Sequence, residues 1–225
     1  METQIENYIN YLNSVKHASA NTIASYRRDL KKMSRFFEDR HCEDVREIRG
    51  TDLNSYVLDM ENRGMSTATV SRSIASMKSF FLYLLKQGEI TEDYADALKP
   101  PKIEKKAPET LSIEEINLLL DQPSRLTPKE IRDKAMLELL YATGMRVSEL
   151  INLKITDVNL TMNYILCRDV SKERVIPIEN IAKMALENYI KSVRESISHG
   201  SMFLFTNMKG QPMTRQGFWK LIKAY

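Results

Sequence analysis

The chain has 225 residues, 43% of them hydrophobic and 28% charged, with 7 Gly, 7 Pro and a formal net charge of +3. That is enough apolar material for one large domain or two small ones, and the scarcity of Gly and Pro favours helix-rich structure. No apolar run approaches the roughly 20 residues needed to cross a bilayer, and the polar start METQIENYINYLNS opens no secretory signal. Cys42 and Cys167 lie far apart without CxxC spacing, which points to free thiols in a cytoplasmic protein with no membrane partner and no metal. Basic and acidic residues are near balance in both halves of the chain. A nucleic-acid footprint would therefore have to come from one face, not from the total charge.

The first half reads as four helices. Ile5, Tyr8, Ile9 and Leu12 recur at helical spacing. Ile23, Tyr26, Leu30, Met33 and Phe37 form the stripe of a second helix, with Ser19 or Asn21 as its cap. A third runs from about Thr51 to Arg63, where Gly64 suits the left-handed stop. The fourth starts at Ser66 and ends at Gly88, with Val70, Ile74, Met77, Phe81 and Leu84 on one side. These stripes read as the core of a small helical bundle. A Pro-Pro pair at 100–101 among lysines then breaks the helical pattern, so residues 99–110 read as a solvated linker between domains 1–98 and 111–225.

The second half opens on two capping boxes, Ser112 with Glu115 and Thr127 with Glu130, the latter with Pro128 at the first helical position. The second helix reaches about Ala142 and stops at Gly144, and a short one follows from Val147 to Leu153. Tyr164–Arg168 and Arg174–Ile178 are β-prone runs around a polar turn, which predicts a hairpin. Helix returns over about 181–197, residues 202–207 (MFLFTN) read as a strand or an extended segment, and Thr214 caps a last helix. The fold class is mainly α with a small β-hairpin or sheet.

Arg146 stands two residues past Gly144, where a helix stops and another starts. Its planar guanidinium is permanently charged and matches a phosphate with paired donors. An isolated Gly-x-Arg is an ordinary surface arginine, so the wider context decides.

That context, RDKAMLELLYATGMRVSELINLKITDVNL, closely resembles the first arginine box of the tyrosine recombinase/phage integrase family, and most closely its bacterial Xer-type members. NTIASYRRDL, KERVIPI and PMTRQGFWKLIK resemble the same family in the same order, so the likeness spans nearly the whole chain. The resemblance implies an N-terminal SAM-like core-binding domain followed by an α+β catalytic domain. It implies cleavage of one strand of double-stranded DNA by a tyrosine hydroxyl through a phosphotyrosyl link, with no metal or nucleotide cofactor. Arginines stabilise charge growing on the scissile phosphate, a lysine and histidines handle protons, and the tyrosine is the covalent nucleophile.

By position Arg146 matches the first catalytic arginine. Glu149, one turn on, reads either as the carboxylate that orients it or as an acid favoured at a helix start. Family members carry a lysine in the hairpin turn. Here Lys172 is the lysine of that turn, and Arg168 is a second source of charge but a poor proton donor. The resemblance also places Thr22, Tyr26, Arg27, Arg28, Ser71, Arg72 and Lys78 toward DNA, since hydroxyls and cations suit phosphate contacts.

The family's second box, His-x-x-Arg, does not occur in these residues. His17, His41 and His199 are followed three positions on by Ala20, Asp44 and Met202. Tyr225 aligns with an ordinary helix position, so none of the 225 residues reads as the nucleophile. The expectation is a recombinase chain without its C-terminal catalytic segment, whether from a truncated gene, a split gene or a trimmed polypeptide. Such a chain would cut no DNA alone, because a unit that acts together loses most activity when members are missing. The alternative expectation is a non-catalytic DNA-binding protein that occupies or regulates a recombination site, with a full-length recombinase relative as partner. Relatives assemble as tetramers on DNA.

Overall fold

Five helices begin at a hydroxyl residue that accepts a hydrogen bond from the N–H three residues on. Ser19, Ser66, Ser112, Thr127 and Thr214 cap through Thr22, Thr69, Glu115, Glu130 and Gly217 at 3.0–3.3 Å. The geometry comes from a computed structural model that describes residues 1–102, 107, 109–124, 126–168 and 173–225. The chain divides into two compact units, residues 1–107 and 108–225. The connecting segment expected over 99–110 includes 103–106 and 108, which lie outside the described residues.

Unit one contains α1 (Glu2–Ser14), α2 (Ala20–Glu38), α3 (Gly50–Asn62) and α4 (Thr67–Lys86). Helix α4 packs against each of the other three, and α1 against α2. Their stripes bury Tyr8, Leu30, Met33, Phe37, Leu53, Phe80 and Phe81 in one core. Phe80 meets Tyr8 edge-on at 5.5 Å and Phe81 at 5.7 Å, aromatic geometry that adds to simple area burial.

Unit two contains α5 (Ile113–Asp121), α6 (Pro128–Thr143), α7 (Val147–Asn152), β1 (Val158–Asn159), β2 (Tyr164–Arg168), β3 (Glu173–Pro177), α8 (Asn180–Tyr189), α9 (Glu195–Ser198) and α10 (Arg215–Ala224). The expected hairpin is present and gains a short third strand, giving an antiparallel sheet of order β1-β2-β3. Ile165 pairs with Ile176 and Cys167 with Arg174. Ile165 and Cys167 are the buried residues of β2, so its inner face meets the core with alternation of period two. Helix α6 packs on α5, α7 and α8, and α7 on α10. Residues 132–139 of α6 are all buried, which places this helix at the centre of unit two.

One expectation changes here. The helix read over 181–197 is interrupted by a wide turn of π type, Ile190–Arg194, between α8 and α9. Around it, the Tyr189 hydroxyl donates to the Leu204 carbonyl at 2.9 Å, and Arg194 donates to the carbonyls of Ser201 and Phe203 at 2.6 and 2.9 Å. These anchors tie the helix to the chain running beside it, and the extra residue in the turn accommodates them. That neighbouring run, 202–207, is extended rather than a ladder strand. It makes single bridges, Phe203 to Lys154 and Thr206 to Pro212, and buries Leu204 and Phe205. Among the described residues no helix is long and apolar enough to cross a membrane.

Candidate functional site

The site is built at the junction of α6 and α7. Gly144 has φ +59°, the left-handed region that an L side chain adopts only with strain, and it closes α6 with its N–H on the Leu140 carbonyl. Met145 then drops into the core at 4% exposure. Arg146 follows in extended conformation as the residue preceding α7, so its side chain leaves the helix axis and stays 69% exposed.

Glu149 links the junction together. Its side chain is 6% exposed, and its Oε2 accepts from the Arg146 backbone N–H at 2.6 Å. The same carboxylate faces the Arg146 guanidinium at 3.4 Å and that of Arg174, on β3, at 2.9 Å. Burial pushes the Glu149 carboxyl up, but the Arg146 N–H, the Arg174 hydrogen bond and the charges of both arginines outweigh it and hold the group below its ordinary value. Glu149 is therefore an ionised, buried carboxylate under an exposed guanidinium, which is how a cation is aimed at a ligand without being withdrawn from it.

Arg168 is differently engaged. It donates to Glu173 at 2.9 Å and forms an ion pair with the buried Asp157 at 2.9 Å. Lys172 lies outside the described residues, so the structure gives it no position. Tyr225 donates its hydroxyl to Asp133 at 3.0 Å. Burial and the Asp133 charge push the pKa of that phenol up, opposite to the shift that would activate a nucleophile.

In unit one the seven residues read toward DNA separate into groups. The Thr22 hydroxyl lies 2.9 Å from that of Ser19 within the α2 cap, and Tyr26 packs on the bundle core. Arg27 is paired with Glu6 at 3.0 Å. Arg72 places its fork on Asp29 at 2.8 and 2.9 Å, and Asp29 is 3% exposed, so this arginine neutralises a buried acid. The Ser71 hydroxyl is buried with no hydrogen-bond partner among the described residues. Arg28 and Lys78 have no ion pair among the described residues, and Arg28 is exposed.

Sequence reading missed Arg174 as part of the Arg146 site. KERVIPI gave it a place on a strand, but only the register, Arg174 opposite Cys167, puts it on the inward face of the sheet beside Glu149.

Comparison with known proteins bears on the whole chain. Residues 109–225 match the Phage integrase family, and residues 5–88 match the phage integrase N-terminal SAM-like domain. All of the chain aligns at 39% identity with 74% of the tyrosine recombinase XerC of Roseiflexus sp., and at 38% with 77% of the tyrosine recombinase XerD of Staphylococcus haemolyticus. Among solved structures, 99% of the chain matches 78% of the Tn1549 transposon integrase in complex with circular intermediate DNA, at TM-score 0.72 and 21% identity. A lambda integrase dimer bound to a core site matches at TM-score 0.72 and 17% identity. The structural likeness establishes the shared fold, and the sequence matches establish the descent. The chain belongs to the tyrosine recombinase family of phage integrases and Xer proteins.

Proposed function

We propose that this chain takes part in site-specific recombination in the cytoplasm, binding double-stranded DNA with residues 1–98 and holding the scissile phosphate with Arg146 of domain 111–225. Residues 99–110 connect the two. The observation that carries this reading is the setting of Arg146: exposed, rooted at a glycine stop, and backed by a buried carboxylate. A guanidinium held this way is a preorganised donor for charge that grows on a phosphate in the transition state. Lys172 in the hairpin turn is the proposed proton donor, and Arg28 and Lys78 are the cations of unit one best disposed toward the duplex backbone. On DNA the chain assembles with further recombinase subunits, and it uses no metal or nucleotide.

Arg146→Ala tests this. Equilibrium binding of the chain to a fluorescein-labelled duplex of mixed sequence is measured across a salt series. Loss of one phosphate contact lowers the slope of log K against log salt by about 1 and weakens binding evenly across sequences. An unchanged slope would remove Arg146 from the DNA-binding surface and sink the proposal.

A second reading is favoured by the commitment of the Tyr225 hydroxyl to Asp133. It makes residues 1–225 a DNA-binding protein that occupies a recombination site without cutting it. A nicked suicide duplex separates the two. A covalent adduct supports strand cleavage, and a gel shift without one supports occupancy.

A further inference from the structure

Two guanidiniums from different elements meet one buried carboxylate. Arg146 comes from the start of α7 and Arg174 from β3, and among the described residues these are the charged groups facing Glu149. Their holds on it differ. Arg174 sits at 2.9 Å, the ordinary length of a charged hydrogen bond, and Arg146 at 3.4 Å with its side chain mostly in solvent. A carboxylate that is 6% exposed cannot be left without a cation except at a high cost.

We propose that Arg174 is a positioning residue for the phosphate site: it keeps Glu149 compensated so that the Arg146 guanidinium can turn from the carboxylate to a DNA phosphate. The inference rests on the reading of Arg146 as a phosphate ligand. With Arg174 present, Glu149 stays paired through Oε2 whichever way Arg146 points, and the Arg146 backbone N–H, 2.6 Å from the same oxygen, keeps the junction in place. Without Arg174, every excursion of Arg146 to phosphate exposes a bare buried charge, so Arg146 is retained on the carboxylate. The lowered pKa of Glu149 agrees with two cations sharing it. Arg174 acts through Glu149 and Arg146 and contacts no phosphate itself.

The test is a double-mutant cycle on the full chain, read as the salt slope of binding to the same mixed-sequence duplex. Arg174→Met is expected to weaken binding about fivefold and to lower the slope by about 1, as Arg146→Ala does. The double variant is expected to lose about 1 as well, not about 2. Arg174→Lys, which keeps a cation beside Glu149, is expected to restore the slope. Glu149→Gln removes the charge that needs compensation, so adding Arg174→Met to it is expected to change nothing further. A double-variant loss of about 2 makes Arg174 a phosphate contact and overturns the proposal. So does an Arg174→Met slope equal to wild type, or a lowered melting temperature with no rescue by lysine. If Arg174→Met does not fold, the Glu149→Gln pair and the lysine variant decide the matter. An unchanged slope in Arg146→Ala is a different failure, since it removes the phosphate reading on which the inference stands.

Discussion

Asp133 shows how much one side chain can hold. It is fully buried on α6, and it takes Arg132 at 2.9 and 2.6 Å, Lys129 at 2.9 Å and the Tyr225 hydroxyl at 3.0 Å. Arg132 is itself 4% exposed and also donates to the Thr206 carbonyl. Asp133→Ala leaves Arg132 buried without its counter-charge, so it is expected to cost about 3–5 kcal/mol in urea unfolding. A loss below about 1 kcal/mol would mean that water reaches the arginine. Glu149 sets a pH dependence of definite sign. Its folded-state pKa lies below the ordinary glutamate value, so its contribution to stability is present above about pH 4.3 and lost as pH falls through the lower folded value. Denaturation of Glu149→Gln is expected to lack that acid-side loss relative to the parent chain. At this scale, the sequence placed Arg146 and Glu149 together because they are three residues apart at one helix start. It showed neither the pairing of Arg72 with Asp29, 43 residues away, nor that of Arg174 with Glu149. Both pairings depend on packing between separate elements.

Helix ends were the most legible elements. The hydroxyl caps and the two acid-paired boxes lie where their residue types put them, because a cap is satisfied within four residues of chain. Gly144 was legible for the same reason. Its positive φ ends α6 and sets the start of α7, so Gly144→Ala is expected to cost about 1–2 kcal/mol in chemical denaturation. It is also expected to weaken DNA binding by shifting Arg146, with a salt slope below that of the parent chain. The wide turn at Ile190–Arg194 was not legible, and of the two forms read for 202–207, strand or extended segment, only the structure chose. Helical periodicity continues through the first, and only the carbonyls of the second explain why Arg194 and Tyr189 are held where they are.

At the scale of the molecule, the buried residues form two clusters, one confined to residues 5–98 and the other to 120–221. Each cluster is expected to unfold as its own cooperative body. Phe80→Ala is expected to cost the first unit about 3–5 kcal/mol and to lower one thermal transition, leaving the transition that contains Tyr189 and Phe205 in place. A single transition that shifts as a whole would show one cooperative body instead. Composition, helical stripes, caps and the Arg146 segment together determined the mainly helical class, the family likeness and the candidate phosphate arginine, because each of these signals is written in neighbouring residues. Only the tertiary structure decided which carboxylates these charges meet. Arg72 and Arg168 are taken up by Asp29, Asp157 and Glu173, while Arg146 stays exposed over a carboxylate that Arg174 also holds. The physical reason is that an ion pair is made by proximity in space, and these partners are brought together by strand register and helix packing, which no short stretch of sequence specifies.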